Sequence, residues 1–366
     1  MKQKMRNCKN IISGLIVLLF VQCQGNDTLT EETFSFDDQR FENVWLVDAQ
    51  TMQGTTQGTT FTIKTSEPQL LVSPKEISLF LRDFDLELSG YDSSSLLSKL
   101  NAAGEIFEIP ENRFFETCYN ISYTVFEKTA GAFDPSVLPL VKAWGFFKDM
   151  QQPPSEDEIA EILQYVGFEK GLHHNIEGNN YVKLHPEFQI DFNAIAQGQS
   201  VDELAQFLAE KGHKHYFIEV GGEIFAKGKN ADGTGWIIGI DEPSEENDGF
   251  GQRNIENYLA IDGRGIATSG SYRKFYEKDG KKYSHTIDPT TGKPVDHNLL
   301  SVTVVAASTA LADAYATAFM TMGVEQSMQF MEDHTDLDLD VYFLFQDDQG
   351  RLNRVFTKHM KKYFVS

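Results

Sequence analysis

Apolar residues recur along this chain with two alternating periods, and the switches between them outline its elements. QGTTFTIKT (57–65) alternates as a strand does, behind a small duplication, GTTQGTT (54–60). PKEISLFLRDFDLELS (74–89) spaces its apolar residues at helical intervals, and 113–129 gives a second helix. Ser155 followed by acids is a good start for a helix over 155–166. NYVKLHPEFQIDF (180–192) alternates like strands with a turn between them, and a helix over 194–212 closes at Gly212. Strand patterns follow at 215–220, 223–228, 235–240, 257–262, 265–270 and 281–288. LLSVTVVAA (299–307) is a strongly β-branched buried strand, 308–323 is a small-residue helix ending at Gly323, and 341–346 is a last strand. Helices and antiparallel-looking strands intermix without a regular βαβ rhythm. The expected class is therefore α+β rather than doubly wound α/β. No internal repeat divides the chain.

The first residues form a separate object. Lys2, Lys4, Arg6 and Lys9 precede an uncharged apolar run, Ile11 to Val21, and Gln22-Cys23 follows it. A basic stretch before an apolar run too short to span stably is the pattern of a secretory signal. Cys23, directly after the run, resembles a bacterial lipoprotein cleavage and lipidation site. The expected organisation is a signal peptide over 1–22, a polar tether over 23–44 and one domain over 45–366.

Composition narrows the function. With 32 Lys+Arg against 54 Asp+Glu the net charge is −22, and loss of the four leader cations lowers it to −26. A chain this acidic repels a phosphate backbone, so nucleic acid is not an expected partner. The three cysteines, Cys8, Cys23 and Cys118, allow no disulfide framework and no Cys-rich zinc site once Cys23 is acylated. Phosphate-loop, HExxH and GxSxG motifs are absent. The pairs His173-His174 and His213, His215 have no third ligand spaced nearby, and scattered surface histidines are the expected reading.

Four stretches stand out. In GAFDPSVLPLVKAWGF (131–146), Asp134 precedes Pro135 at a helix entry. In IDFNAIAQGQSVD (190–202), an acid, Asp191, ends a strand and a tight small-residue turn opens a helix near Gln197-Gly198, a shape that admits an anion. IATSGSYRKFYEKDGKKYSHTIDPTTGKPV (266–295) sets His285 and Asp288 three apart at the end of a hairpin. In SVTVVAASTALADAYATAF (301–319), Asp313 and Thr317 share one helix face, and a carboxylate with a hydroxyl beside small alanines suits Mg²⁺. Taken singly, each is equally a cap, a turn or a solvated helix face.

In order and wording these stretches, with QGTTFTIK and EVGGEIFAKG, closely resemble the FAD:protein FMN transferases, the ApbE-like flavin transferase family, over roughly residues 45–350. The resemblance implies one α+β domain of mixed, largely antiparallel sheets with packed helices and FAD held in a cleft. It implies an activity that cuts the pyrophosphate of FAD, attaches the FMN half to a Thr hydroxyl of a target protein, and releases AMP. The implied targets are flavoprotein subunits of membrane redox complexes. The implied place is the bacterial cell envelope, lipid-anchored to the membrane and facing the periplasm.

Roles carry over position by position. Asp313 and Thr317 fall on the family's Mg²⁺ ligands, with the Ala194 carbonyl as a third. A second acid common in the family one residue before the Thr is Ala316 here. Asp191 and Gln197 match FAD contacts, although a basic residue is usual where Gln197 stands. Ala132, Phe133 and Asp134 match another FAD-contacting tripeptide, and Gln57, Tyr91 and Ile287 match further contacts. His285 is the expected base for the Thr proton, since an imidazole suits proton transfer near neutral pH. Asp288 would orient it or contact the flavin. Two other readings stay open: a FAD pyrophosphatase releasing FMN and AMP, and a non-catalytic lipid-anchored flavin-binding protein. The resemblance also implies an acceptor consensus, Asp-x-x-(Ser/Thr)-Gly-Ala-Thr, which Thr268, in GIATSG, matches only in half, so it is not expected to be flavinylated.

Overall fold

The computed structural model describes residues 39–108, 110–146, 153–175, 180–243, 254–271, 275–278 and 281–365. The signal peptide, Cys23 and most of the tether lie outside these residues. A ten-stranded antiparallel sheet organises the domain. Its order runs Arg40–Phe41, Val44–Asp48, Thr51–Thr56, Thr59–Thr65, Tyr216–Val220, Glu223–Lys227, Arg264–Gly270, Leu299–Ala306, Asp340–Gln346, Leu352–Phe356. The sheet reaches back to Arg40, and Val44 is already in the core, so the domain begins before residue 45.

Alternation along the strands assigns two faces. Phe61, Ile63, Ile218, Val302 and Val304 point to one side, where they meet the helices Pro74–Leu88, Phe115–Lys128, Ala196–Glu210 and Thr309–Asp333. Ala226, Ile266, Val305, Tyr342 and Leu344 point to the other. That side is closed by the hairpin Trp236–Asp241/Ile255–Ile261 and the 3₁₀ turn Lys358–Tyr363, through Ile238, Leu259, Ile261, Met360 and Tyr363. The strand Leu299–Ala306 is thus buried on both sides. Of its two buried hydroxyl residues, Ser301 and Thr303, the Thr303 hydroxyl is paired with Thr268 at 2.8 Å.

A satellite cluster of Leu140, Trp144, Ile159, Val166 and Ile287 joins the helices Leu138–Ala143 and Glu156–Ile162 to the small hairpin Ile287–Asp288/Lys293–Pro294. A three-stranded sheet of Ile106–Glu108, Asn180–Lys183 and Leu172–Asn175 completes the domain.

Several helix starts carry their own caps. Ser73 and Ser155 each form a reciprocal capping box with the Glu three residues on. The helix Phe115–Lys128 has no cap of its own. Glu87, from the preceding long helix, accepts instead from the N–H groups of Arg113 (2.9 Å), Phe114 (2.7 Å) and Phe115 (2.9 Å). One carboxylate therefore satisfies donors that would otherwise be orphaned and also complements the helix dipole. Glu87→Ala is expected to destabilise the domain by about 1–3 kcal/mol, read as a lower urea midpoint. An unchanged midpoint would show that water replaces the carboxylate at no cost.

Candidate active site

The turn after Asp191 is the centre of the site. The Asp191 N–H donates to the Pro135 carbonyl (2.8 Å), which brings the Ala132–Phe133–Asp134 segment beside it. The Asp191 carboxylate accepts from the Asn193 N–H (2.8 Å) and from Asn193 Nδ2 (3.0 Å). The same Nδ2 donates to the hydroxyl of Tyr91 at 3.1 Å, so the exposed Tyr91 ring stands over the turn. Asp134 turns inward and accepts from Ser136 N (2.8 Å) and Ser136 Oγ (2.6 Å), capping the 3₁₀ turn that follows. Burial is the main cause that pushes both carboxyls up, Asp134 to about 6 and Asp191 to about 6. Phe133 is packed in the main core.

The helix Ala196–Glu210 leaves this turn and crosses the helix Thr309–Asp333 at Gly198. A Cβ at Gly198 would lie 2.5 Å from the Thr309 carbonyl oxygen and 2.9 Å from Asp313 Cβ, so only glycine admits this approach. The contact delivers the Gly198 N–H to Asp313 Oδ2 at 3.1 Å. One turn on, Asp202 accepts from Thr309 N (2.7 Å) and Ala310 N (2.8 Å), capping the second helix from the first.

Asp313 is buried, with fully buried Ala312, Ala314 and Ala316 around it on its own helix. It is therefore not on a solvated face. Burial, with Asp202 nearby, pushes its carboxyl up to about 7, against the single lowering contact from Gly198. Thr317 lies one turn further along the same helix, half-buried. Gly198 gives its N–H to Asp313, and among the described residues no main-chain N–H is bonded to the Ala194 carbonyl.

A carboxylate short of counter-charge, a hydroxyl and a carbonyl make an all-oxygen donor set, which fits a hard cation such as Mg²⁺. Among the described residues no group of three or more His, Cys, Asp or Glu could hold a metal. Ala316 offers only its main chain, so Asp313 is the one carboxylate of this set.

Gln57 and Gln197 are two further expected FAD contacts. Gln57 sits at φ 51° in the turn between Thr51–Thr56 and Thr59–Thr65, and its amide O and N are both buried with no hydrogen-bond partner. Such an orphaned amide fits a ligand that brings its own donor and acceptor. Gln197 reaches the Gly221 turn, against which Thr59 also packs.

Ile287 behaves differently from the other expected contacts. Its side chain is 5% exposed inside the satellite cluster, which leaves only its main chain for a ligand. Asp288 spends both oxygens on its own turn, accepting from Thr290 N (2.8 Å) and Thr291 Oγ1 (2.9 Å). It shapes the loop after His285. His285 is half-buried between Ser284 and Thr286, on a segment held to the Asp134 side by Trp144 Nε1, which donates to the Gly292 carbonyl (2.7 Å).

Two of the other histidines, His213 and His174, are packed into the fold rather than left on its surface. His213 Nε2 accepts from Leu71 N (2.9 Å), so its Nδ1 faces Glu67 (2.6 Å) as the donor. His174 lies in a strand, with its ring stacked 4.5 Å from that of Tyr181. Asn193 and Asp202 were not anticipated from sequence. The signal was available in the second one's spacing, four residues after Gly198 on one helix face.

Residues 57–343 match the model of the ApbE family. The chain belongs to the ApbE family. A relative from Vibrio cholerae, named FAD:protein FMN transferase, is 35% identical over 307 residues, covering 82% of this chain and 88% of its own. One of the same name from Haemophilus influenzae is 32% identical over 308 residues, covering 82% and 87%. The structure of the flavin transferase ApbE from Vibrio cholerae superposes with a TM-score of 0.73 at 34% identity, over 86% of this chain and 98% of that one. The apo form of the Pseudomonas stutzeri flavinyl transferase ApbE gives 0.74 at 30% identity, over 87% and 98%. The α+β, largely antiparallel architecture is that of ApbE structures.

The raised Asp134 carboxyl makes a pH dependence measurable in this ApbE-family domain. A folded-state value above the unfolded one favours folding when protonated. Its contribution is full below about pH 4 and is lost as pH rises toward about 6. Asp134→Asn keeps the oxygen that accepts from Ser136 and cannot ionise. Urea unfolding without FAD is expected to show the variant gaining on the wild type by about 2–3 kcal/mol between pH 4 and 7. Parallel curves would mean that the carboxyl ionises normally.

Proposed function

We propose that this chain is a Mg²⁺-dependent FAD:protein FMN transferase that attaches FMN to a Thr hydroxyl of an acceptor flavoprotein and releases AMP. The observation that carries the reading is the buried Asp313 carboxylate, held by a single N–H beside Thr317 and the Asp191–Gly198 turn. A structural carboxylate in that setting would be satisfied by the protein, as Asp202 is.

In the proposed reaction the acceptor Thr oxygen attacks the FMN phosphorus. The new O–P bond forms as the bond to the AMP oxygen breaks, and AMP leaves with that electron pair. His285 takes the Thr proton. The Asp134 and Asp191 segments and Tyr91 hold the dinucleotide, and Gln57 offers its free amide to it. Asp288 acts through the turn that fixes the His285 segment. Mg²⁺ held by Asp313, Thr317 and the Ala194 carbonyl would supply neutralising charge at the pyrophosphate.

We also propose that the mature chain is a lipoprotein, anchored through Cys23 in the cell envelope and facing the periplasm, where acceptor subunits of membrane redox complexes would be its partners. Among the described residues no helix is long and apolar enough to cross a membrane.

The deciding experiment mixes the mature protein with FAD, Mg²⁺ and a candidate acceptor domain, then looks for an FMN-sized mass gain on Thr. FMN and AMP formed equally without an acceptor would make the protein a pyrophosphatase. His285→Ala is expected to bind FAD normally and to lose transfer by about 10²-fold or more; wild-type transfer would remove His285 from the reaction. Asp313→Ala is expected to abolish Mg²⁺-dependent turnover, and a rate indifferent to EDTA would refute the metal assignment. Cys23→Ser is expected to move the protein from the membrane pellet to the soluble fraction.

A further inference from the structure

The helix that carries Asp313 and Thr317 is broken. At Gly323 the backbone takes φ 76° and ψ 177°, a conformation that side-chain-bearing residues rarely adopt, and the chain resumes helix to Asp333. A break frees carbonyl oxygens from their helical donors. Side chains reach carbonyls on both sides of it. Ser327 Oγ donates to the Gly323 carbonyl at 2.6 Å, and His297 Nε2 donates to the Met320 carbonyl at 2.8 Å. The acceptor is a carbonyl, so Nε2 must carry the proton. The His297 ring lies against Gly323, where an added Cβ would come within 3.2 Å of its Cδ2.

The two ends of this contact belong to different parts of the site. Met320 is three residues beyond Thr317, so it shares that helical segment with both Mg²⁺ positions. His297 is two residues beyond Val295, whose N–H donates to the Thr286 carbonyl at 3.0 Å, next to His285. Pro294 pairs with Ile287 in the same small hairpin. A single hydrogen bond therefore spans from the segment carrying His285 to the segment carrying Asp313 and Thr317. At its other end that helix is fixed by Asp202.

We infer that His297 is a positioning residue, which sets the His285 hairpin in register with the helix bearing Asp313 and Thr317. This rests on the transfer reaction proposed above. Of the residues assigned to FAD only Ile287 lies on this hairpin, and Gln57, Tyr91, Asp134, Asp191 and Gln197 stand on other segments, so loss of His297 should affect chemistry far more than dinucleotide binding. A misplacement of about 1 Å between reacting groups costs on the order of 10²-fold in rate.

The test compares His297→Ala, His297→Gln and His297→Asn in the mature protein. Gln can bring an N–H close to the position of Nε2, whereas Asn falls short of it. His297→Ala is expected to lower kcat for transfer by about 10- to 100-fold, with the Kd for FAD within about twofold of wild type. His297→Gln should recover a large part of that loss, and His297→Asn should not. Mn²⁺ titrated as a spin probe, without FAD, should show weaker binding in the Ala and Asn variants than in the Gln variant. If Ala does not fold, the Gln-to-Asn comparison decides. Equal kcat and equal Mn²⁺ affinity across the variants would overturn the assignment, as would losses that follow only the folded fraction. Wild-type protein that fails to transfer FMN would instead remove the underlying reaction, leaving the Mn²⁺ comparison to judge His297 alone.

Discussion

Two helices touch at Gly198, and the site depends on that approach. With no side chain between them, the helix Ala196–Glu210 comes close enough to hand a main-chain N–H to Asp313 and a capping carboxylate to Thr309 and Ala310. The first helix begins in the Asp191 turn, so the same contact ties that turn to the Asp313 face. Any larger residue at 198 would have to displace backbone atoms of Thr309. Local packing, the Asp191 turn and the candidate cation ligands are thus one mechanical unit.

Four carboxyls surround this unit, Asp134 and Asp313 buried and Asp191 and Asp202 half-buried, and desolvation pushes each of them upward: Asp134, Asp191 and Asp202 to about 6, Asp313 to about 7. The first three accept at least two hydrogen bonds each from the protein, with Ser136, Asn193, and Thr309 and Ala310 as donors. Asp313 is left with one. Concentrating buried acids costs stability at neutral pH. A domain with so many apolar residues buried around the sheet tolerates that cost, and Asp313 is where compensation from outside the chain would matter most.

Periodicity located the long elements because their faces are buried. The helix expected over 74–89 is Pro74–Leu88, and the strand expected over 299–307 is Leu299–Ala306. It missed the strands Arg40–Phe41 and Val44–Asp48: the first is only two residues long, and the second, VWLVD, is a short apolar run without alternation. QGTTFTIKT is not one strand: Gln57-Gly58 is the turn of a hairpin, because Gln57 adopts positive φ. Only Asn180–Lys183 of 180–192 forms a strand. The helix expected to stop at Gly323 kinks there and continues, since the freed carbonyls find side-chain donors. At the site, motif order marked Asp191, Gly198 and Asp313, whose spacing has a backbone cause. The side-chain directions of Ile287 and Asp288 were not legible, because they follow from a satellite cluster assembled from distant segments.

The strand order carries a consequence for biosynthesis. Thr59–Thr65 and Tyr216–Val220 are neighbours in the sheet, yet several helices and the small three-stranded sheet lie between them in the chain. A polypeptide emerging from its N-terminus would complete the first hairpin long before its permanent neighbour is synthesised. During that interval the outer edge of Thr59–Thr65 stays open to foreign strands, and closing the long loop delays the native pairing further. The nascent chain is therefore most vulnerable to misassociation while residues 66–215 are being made, and a holding chaperone would act most usefully in that window.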